Sequence, residues 1–289
     1  MKKILLCTDG SAFAQIGYEY AAWWANRMEV AIEVLYVTDL RKQQTVQSYD
    51  FSGSLGIDSY QGLLTQLLEL EHEAAKLNHE RAKIILDAAH QVLVDKGVDP
   101  TALTLTHETG FLVDRFHELE QGADLILLGK RGETASFAAE HLGANLERVV
   151  RSSHKPCLVT SRAFHPIEHV LFAYDGGKSC QKALQFLVST PVFKDLDLHV
   201  VTVVKKQGDR DAIALLNDAE STLATHGIKA TCEVLHGNAE DAVVDYAETH
   251  QMHFLVMGAY GHSRIRRLVI GSTTTQVLRR SPIPVLLFR

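Results

Sequence analysis

A stretch near the C-terminus carries the residue types that phosphate chemistry requires. It reads Gly258-Ala259-Tyr260-Gly261, then nine residues, then Gly271-Ser272-Thr273. Glycines let backbone N–H groups approach an anion with no Cβ in the way. A helix opening at Ser272 adds unpaired N–H donors and the positive end of a helix dipole. Ser272 and Thr273 suit either capping of that helix or donation of a hydroxyl to a phosphate oxygen. Arg264, Arg266 and Arg267 lie between the glycines, and guanidinium groups match phosphate oxygens well. Two glycines alone are common at any turn, and a Ser-Thr pair is often only a cap. Spacing, strand-to-helix context and arginines together point to phosphate.

A second, imperfect version lies upstream. Gly129-Lys130-Arg131-Gly132 keeps the first two glycines, but ten residues precede Gly143, and Ala144 and Asn145 replace the hydroxyl pair. The intervening loop holds Glu133 and Glu140 and no arginine, a charge that opposes a triphosphate. Asn145 remains a helix cap, and Lys130 and Arg131 remain able to meet a phosphate. This version reads as a degenerate, structural copy.

The two versions belong to an internal repeat. Ile4-Leu5-Leu6-Cys7-Thr8-Asp9-Gly10-Ser11 answers Val170-Leu171-Phe172-Ala173-Tyr174-Asp175-Gly176-Gly177, and Ile32-Glu33-Val34-Leu35-Tyr36-Val37 answers Leu198-His199-Val200-Val201-Thr202-Val203. Glu108-Thr109-Gly110, the run 124–129 and the run 156–160 answer Leu235-His236-Gly237, the run 253–258 and the run 284–288 in the same order. Five ordered correspondences make the chain a tandem duplication. The expected units are 1–162 and 168–289, parted where Pro166 and polar residues interrupt the pattern.

Continuous Val/Ile/Leu runs suit strands buried on both faces of a parallel sheet flanked by helices. Each half is therefore expected to be a doubly wound α/β unit of about five strands. Ligands in such sheets sit beyond the C-terminal strand ends where strand order reverses. With the first and fourth strands adjacent, Asp9 meets the Gly129 loop and Asp175 meets the Gly258 loop.

The halves differ between their second and third strands. The first inserts a polar stretch, 42–62, and a helical pattern over 65–96 with Leu70, Ala74, Leu77, Ile84, Ala88 and Val92 on one stripe. The plain expectation is a mobile connection and an extended surface helix; the sharper one is a lid or a dimer-contact arm. Trp23 and Trp24 are adjacent on the first helix and point about 100° apart. One is expected in the core and the other at an interdomain or dimer contact.

Composition narrows the classes. The 289 residues are 46% hydrophobic and 22% charged, with a net charge of -6 and a pI near 6.2. That argues against a broad nucleic-acid-binding face, which requires clustered Lys and Arg. Cys7, Cys157, Cys180 and Cys232 form no C-x-x-C pair, so reduced buried thiols are expected. No apolar run is long enough for a membrane span, and the N-terminal run is too short for a signal peptide, so a cytoplasmic setting is expected. The closest histidine spacings, His165-x3-His169 and His250-x2-His253, lack further ligands at zinc-site spacing. No G-x-S-x-G elbow, H-E-x-x-H pair, Walker-type loop or first-helix G-x-G-x-x-G is present.

The Gly-x2-Gly-x9-Gly-Ser/Thr pattern, with Asp-Gly after the first strand and a Pro-apolar last strand, resembles the universal stress protein family. The resemblance covers essentially the whole chain, as a tandem member. It implies parallel sheets ordered 3-2-1-4-5, of the nucleotide-binding α-hydrolase-like class, and binding of ATP or AMP with Mg2+ or Mn2+. It assigns Asp175 to the nucleoside end of the pocket and Val203 to adenine through its backbone. It gives Gly258, Gly261, Gly271, Ser272 and Thr273 to ribose and phosphates, beside Arg264 from the reading above. It also implies pairing of the last strands, 156–160 beside 284–288. Three functions stay open: a nucleotide-binding regulator of the stress response, a slow ATPase or autophosphorylating enzyme, and a ligand-independent dimeric scaffold. A homodimer and a protein partner are left open by the sequence.

Overall fold

The computed structural model describes residues 1–39, 57–111, 116, 118–130, 142, 144–205, 210–259 and 271–289. Most of the polar stretch 42–62 lies outside the described residues. So do Gly261, Arg264, Arg266 and Arg267, and Arg131, Gly132, Glu133, Glu140 and Gly143 of the first half.

The first half runs β1 (Lys3–Thr8), α1 (Ala12–Met28), β2 (Ala31–Asp39), α2 (Ile57–Asp95), β3 (Leu103–Gly110), β4 (Leu125–Leu128), α3 (Ala144–Ser152) and β5 (Cys157–Val159). The second half repeats this with β6 (His169–Ala173), α4 (Lys178–Ser189), β7 (Asp197–Val204), α5 (Arg210–Thr225), β8 (Ala230–His236), α6 (Ala239–Thr249), β9 (Phe254–Gly258), α7 (Ser272–Arg280) and β10 (Val285–Phe288). The apolar runs are continuous because helices cover both faces of each strand. Ile4 and Leu6 enter the core on one face while Leu5 enters the core on the other. A strand with no wet face has no reason to alternate.

All strands join one ten-stranded sheet, ordered β3-β2-β1-β4-β5-β10-β9-β6-β7-β8. Each half has the 3-2-1-4-5 order and is parallel throughout. The halves meet antiparallel, with Val285 opposite Val159, Leu286 opposite Leu158 and Leu287 opposite Cys157. The expected pairing of the last strands is thus present within the chain. Its geometric consequence is direct: the C-terminal strand ends of the two halves lie on opposite edges of the sheet.

One core passes from half to half. Trp24 is fully buried and meets Phe193, Phe254 and Phe186 of the second half at centroid distances of 5.7, 6.3 and 6.4 Å. Trp23 is buried too, with the Arg27 guanidinium 4.3 Å above its ring. Both indoles are therefore core, and Trp24 is also the interdomain contact. Tyr20 ties down the connection between halves, its hydroxyl bonded to Ser161 Oγ at 3.0 Å and donating to the Ala163 carbonyl at 3.2 Å.

The turns after β1 and β6 require glycine. Gly10 and Gly176 have φ of 76° and 71°, and a Cβ there would stand 2.7 Å from Ile85 and 2.5 Å from Leu215. Those two side chains occupy matching places on α2 and α5. Ala82, Leu86, Ala89 and Leu93 on α2 likewise correspond to Ala212, Leu216, Ala219 and Leu223 on α5, all buried.

The stripe read from the sequence is not the one that buries α2. Leu70, Leu77 and Ile84 are 61%, 66% and 69% exposed, Ala74 and Ala88 are exposed, and only Val92 is half-buried. The helix carries two apolar stripes, and periodicity alone does not say which one meets the sheet. The repeat does, because α5 has only the Ala82-type stripe.

The shared core gives a test. Trp24→Ala should cost about 3–5 kcal/mol, the usual range for a buried Trp. Because Trp24 belongs to both halves, urea unfolding followed by far-UV circular dichroism should shift as one transition. Loss of the first half alone, with the second half's midpoint unmoved, would show the cores to be separate.

Candidate functional site

Strand order reverses in the second half between β9 and β6, so a crevice opens where these two neighbours end. Asp175 follows β6 by two residues. Its Oδ1 accepts the Gly177 N–H at 2.8 Å, a short side-chain turn that leads the backbone into α4. Thr202 Oγ1 donates to the Tyr174 carbonyl at 2.7 Å and pins the same corner.

Val203 sits where the family resemblance expects a backbone contact, and the register shows why it suits one. Val201 offers its carbonyl to Tyr174 N on the β6 side, and Val204 offers its own to Gly237 N on the β8 side. Peptide groups alternate along a parallel strand, so Val203 faces the β6 side. Pairing with β6 ends at Ala173 opposite Val201. The amide and carbonyl of Val203 therefore face the space beyond the end of β6.

Gly258 ends β9 against the first turn of α4. A Cβ there would lie 3.1 Å from both Cys180 Sγ and Ser179 Cβ. Close helix packing alone accounts for this glycine. Gly271 is different, since a Cβ there would make only ordinary contacts at 3.6 and 3.7 Å. It stands at the N-cap of α7 with no side chain capping the first turn. The Ala259 carbonyl accepts from Gly271 N at 3.5 Å and from Thr274 Oγ1 at 3.1 Å. These bonds close the base of the glycine loop and bring the start of α7 to the end of β9. Ser272 is exposed and Thr273 half-buried on that first turn. Asp175, Val203, Gly258, Gly271, Ser272 and Thr273 are thus all at the C-terminal edge of the second half, whereas Gly261 and Arg264 lie outside the described residues.

The crevice presents backbone dipoles and the start of α7. The Cys180 thiol beneath it is pushed up to about 12, by burial first and by the Asp175 carboxylate second. A thiol held neutral is no nucleophile.

The first half builds something else at its own edge. Thr8 Oγ1 pairs with the Tyr18 hydroxyl at 2.5 Å, and Ser11 N donates to Asp9 Oδ1 at 3.0 Å. Leu77, Glu80, Arg81 and Ile84 of α2 rise past these residues and, with Asp9, Gly10, Ser11 and Ile85, line an open groove of about 400 Å³. At the matching places of the second half, α5 sets Asp211 where α2 has Arg81 and Ala214 where it has Ile84.

Lys130, which the sequence leaves able to meet a phosphate, also has partners in the other half. Its ammonium donates to the carbonyls of Arg279 and Ser281, both at 3.0 Å, and so caps the C-terminal end of α7 in the other half. Arg289 returns the arrangement by donating to the Arg151 carbonyl at 2.5 Å, at the end of α3. Cations at helix C-termini meet unpaired carbonyls and the negative dipole end. Nothing in the local sequence marks this exchange; only the antiparallel union of the halves creates it.

The histidine spacings also acquire a structural account. His169 and His253, one from each spacing, come together with Glu168, with ring centroids 5.0 Å apart. The His253 Nδ1 accepts the backbone N–H groups of Glu168 and His169 at 3.2 and 3.4 Å. With Nδ1 as acceptor, the neutral ring carries its proton on Nε2. His169 Nδ1 meets the Asp197 carboxylate at 3.0 Å. The group clamps the start of β6.

Comparison with known proteins agrees with this architecture. The sequence profile of the Universal stress protein family matches residues 1–161 and again 166–289. The chain belongs to the universal stress protein family. A universal stress protein of Synechocystis is 54% identical to it over 289 residues, covering all of both chains. Another, from Methanocaldococcus jannaschii, is 30% identical over 165 residues, covering 56% of this chain and 95% of its own. Among solved structures, a universal stress protein from Archaeoglobus fulgidus superimposes with a TM-score of 0.69 at 22% identity, over 99% of this chain and 96% of that one. That last likeness concerns the fold.

The histidine clamp of this family member sets a pH dependence. Burial first, and then the neighbouring His169, lower the His253 value, while Glu168 opposes them. Between the ordinary value of 6.5 and the lower folded one, the unfolded chain binds more protons here. The stability contributed by neutral His253 is full above 6.5 and is lost as pH falls. Thermal melts from pH 7.5 down to 5 should show that decline, and His253→Gln should flatten it. An unchanged slope in the variant would remove His253 from the account.

Proposed function

We propose that this universal stress protein binds an adenine nucleotide, ATP or AMP, in the crevice of its second half, and acts in the stress response through the bound state. The observation that supports this most is the start of α7, tied to the end of β9 by Ala259 and capped by no side chain. An uncapped helix start of this kind is a site for phosphate oxygens. Ser272 and Thr273 would add hydroxyls, Gly261 and Arg264 would close over the phosphates, and Asp175 would meet the ribose end. The Val203 backbone would meet the adenine edge.

The residues suit a divalent cation only through the ligand. Among the described residues, no group of three metal-ligating side chains gathers at this crevice. Mg2+ or Mn2+ would be held by the nucleotide's own phosphate oxygens and water, as Mg2+ commonly is.

Binding is favoured over catalysis. Asp175 is the carboxylate at the crevice, and its Oδ1 is engaged by Gly177 N as a turn element. A general base needs to reach an attacking water or hydroxyl, and on this reading Asp175 would stand at the nucleoside end. Slow hydrolysis or autophosphorylation is the second reading. The reading places the protein in the cytoplasm, and no described helix is long and apolar enough to cross a membrane.

Isothermal titration of the full chain with ATP and with AMP should give one site per chain. Gly271→Asp is the informative variant. Its Cβ fits, and aspartate in place of glycine at an N-cap stabilises a helix by about a few tenths of a kcal/mol, yet its charge opposes phosphate. Nucleotide affinity should fall by at least about 10-fold, one charge-assisted contact, with the melting temperature held or raised. Two equivalent sites would defeat the asymmetry, and unaltered affinity would move the site elsewhere.

A further inference from the structure

We propose that a second copy of this chain docks along the exposed stripe of α2, forming a parallel two-helix seam between copies. Leu67, Leu70, Ala74, Leu77, Arg81, Ile84 and Ala88 follow one another in alternating steps of three and four. That is the spacing of a coiled-coil seam, sustained over three heptads and about 32 Å of helix. Leu70, Leu77 and Ile84 fall at one seam position, where leucine favours two-stranded pairing. These three are the stripe that the fold leaves 61%, 66% and 69% exposed.

The helix also lacks support of its own over this length. Across residues 65–81 every side chain is exposed except the half-buried Leu67 and Asn78. Isolated helices of that length are marginal in water, and burial of an apolar face normally supplies the difference. The corresponding helix α5 has no such extension.

A second copy fits better than another partner because the seam is complementary to itself. A two-fold pairing matches one patch with its own image. Arg81 lies within the stripe, and acidic Glu73, Glu80 and Asp87 follow one flank at seven-residue intervals. In a parallel pair the two Arg81 side chains lie side by side in the seam, each flanked by Glu80 of the other copy, which offsets their like charge. An antiparallel pair would instead set that acidic flank against its own image. Charge therefore selects the parallel form. The last strands, β5 and β10, are already paired with each other and offer no route to a second copy.

The test is sedimentation equilibrium of the full chain at micromolar concentration. The native protein should be a dimer. Leu70→Asp together with Leu77→Asp should weaken dimerisation by more than about 100-fold, from two leucines withdrawn per chain. Both are surface positions outside the core, so the cooperative melt should stay native-like, with far-UV helicity falling only by the turns of α2 that the seam supports. Leu70→Cys should cross-link to itself on mild oxidation, with the native chain as control, because equal positions meet only in a parallel seam. A monomeric native protein, or a dimer untouched by the double variant, overturns the proposal; a dimer without the cross-link overturns its orientation. The second-half crevice opens on the other edge, so failure here is separate from failure of the nucleotide reading.

Discussion

The antiparallel bond between β5 and β10 is the constraint from which the rest of this molecule follows. Three residue pairs turn two five-stranded sheets into one, and both strands are wholly buried. Neither half then has an open edge on that side to attract another strand. The union also fixes the helices that flank it. It sets Trp24 among the phenylalanines of the other half, and it places each terminal helix end within reach of a cation from across the seam.

That union also separates the two crevices by a whole sheet. Parallel strands within a half put its crevice at one edge, and reversal at the junction sends the other crevice to the opposite edge. Duplication therefore did not create a pair of facing sites. It left each half free to change alone. The second half has an uncapped helix start and a short α5. The first half has a helix of 39 residues and a groove walled by Leu77, Arg81 and Ile84.

Much of this was legible in the residues. The repeat, the strand order and the meeting of the last strands followed from ordered apolar runs, the Asp-Gly corners and the family pattern. The reason is physical: strands buried on both faces leave unbroken runs, and positive-φ corners leave glycines. What was not legible depends on choices between equivalent patterns. On α2, Ala82, Leu86, Ala89 and Leu93 bury while Leu70, Leu77 and Ile84 do not, although both sets have helical periodicity. Lys130 looked like an anion ligand because it sits between two glycines. Its actual partners, the carbonyls of Arg279 and Ser281, are distant in sequence and become neighbours only through the sheet. Gly258 shows the converse. Its glycine is demanded by Cys180 and Ser179 as much as by any ligand.

Helix α7 gives the cross-cap a further meaning. Its nine residues make a rod of about 13 Å. One end opens on the second half's crevice, and the other receives Lys130 from the first half's own glycine pair. The ends of β4 and β9 lie at opposite edges of the sheet, yet Lys130 and Gly271 stand at the two poles of a single short dipole. A cation of the first half thus holds the negative end of the helix whose positive end opens on the second half's crevice.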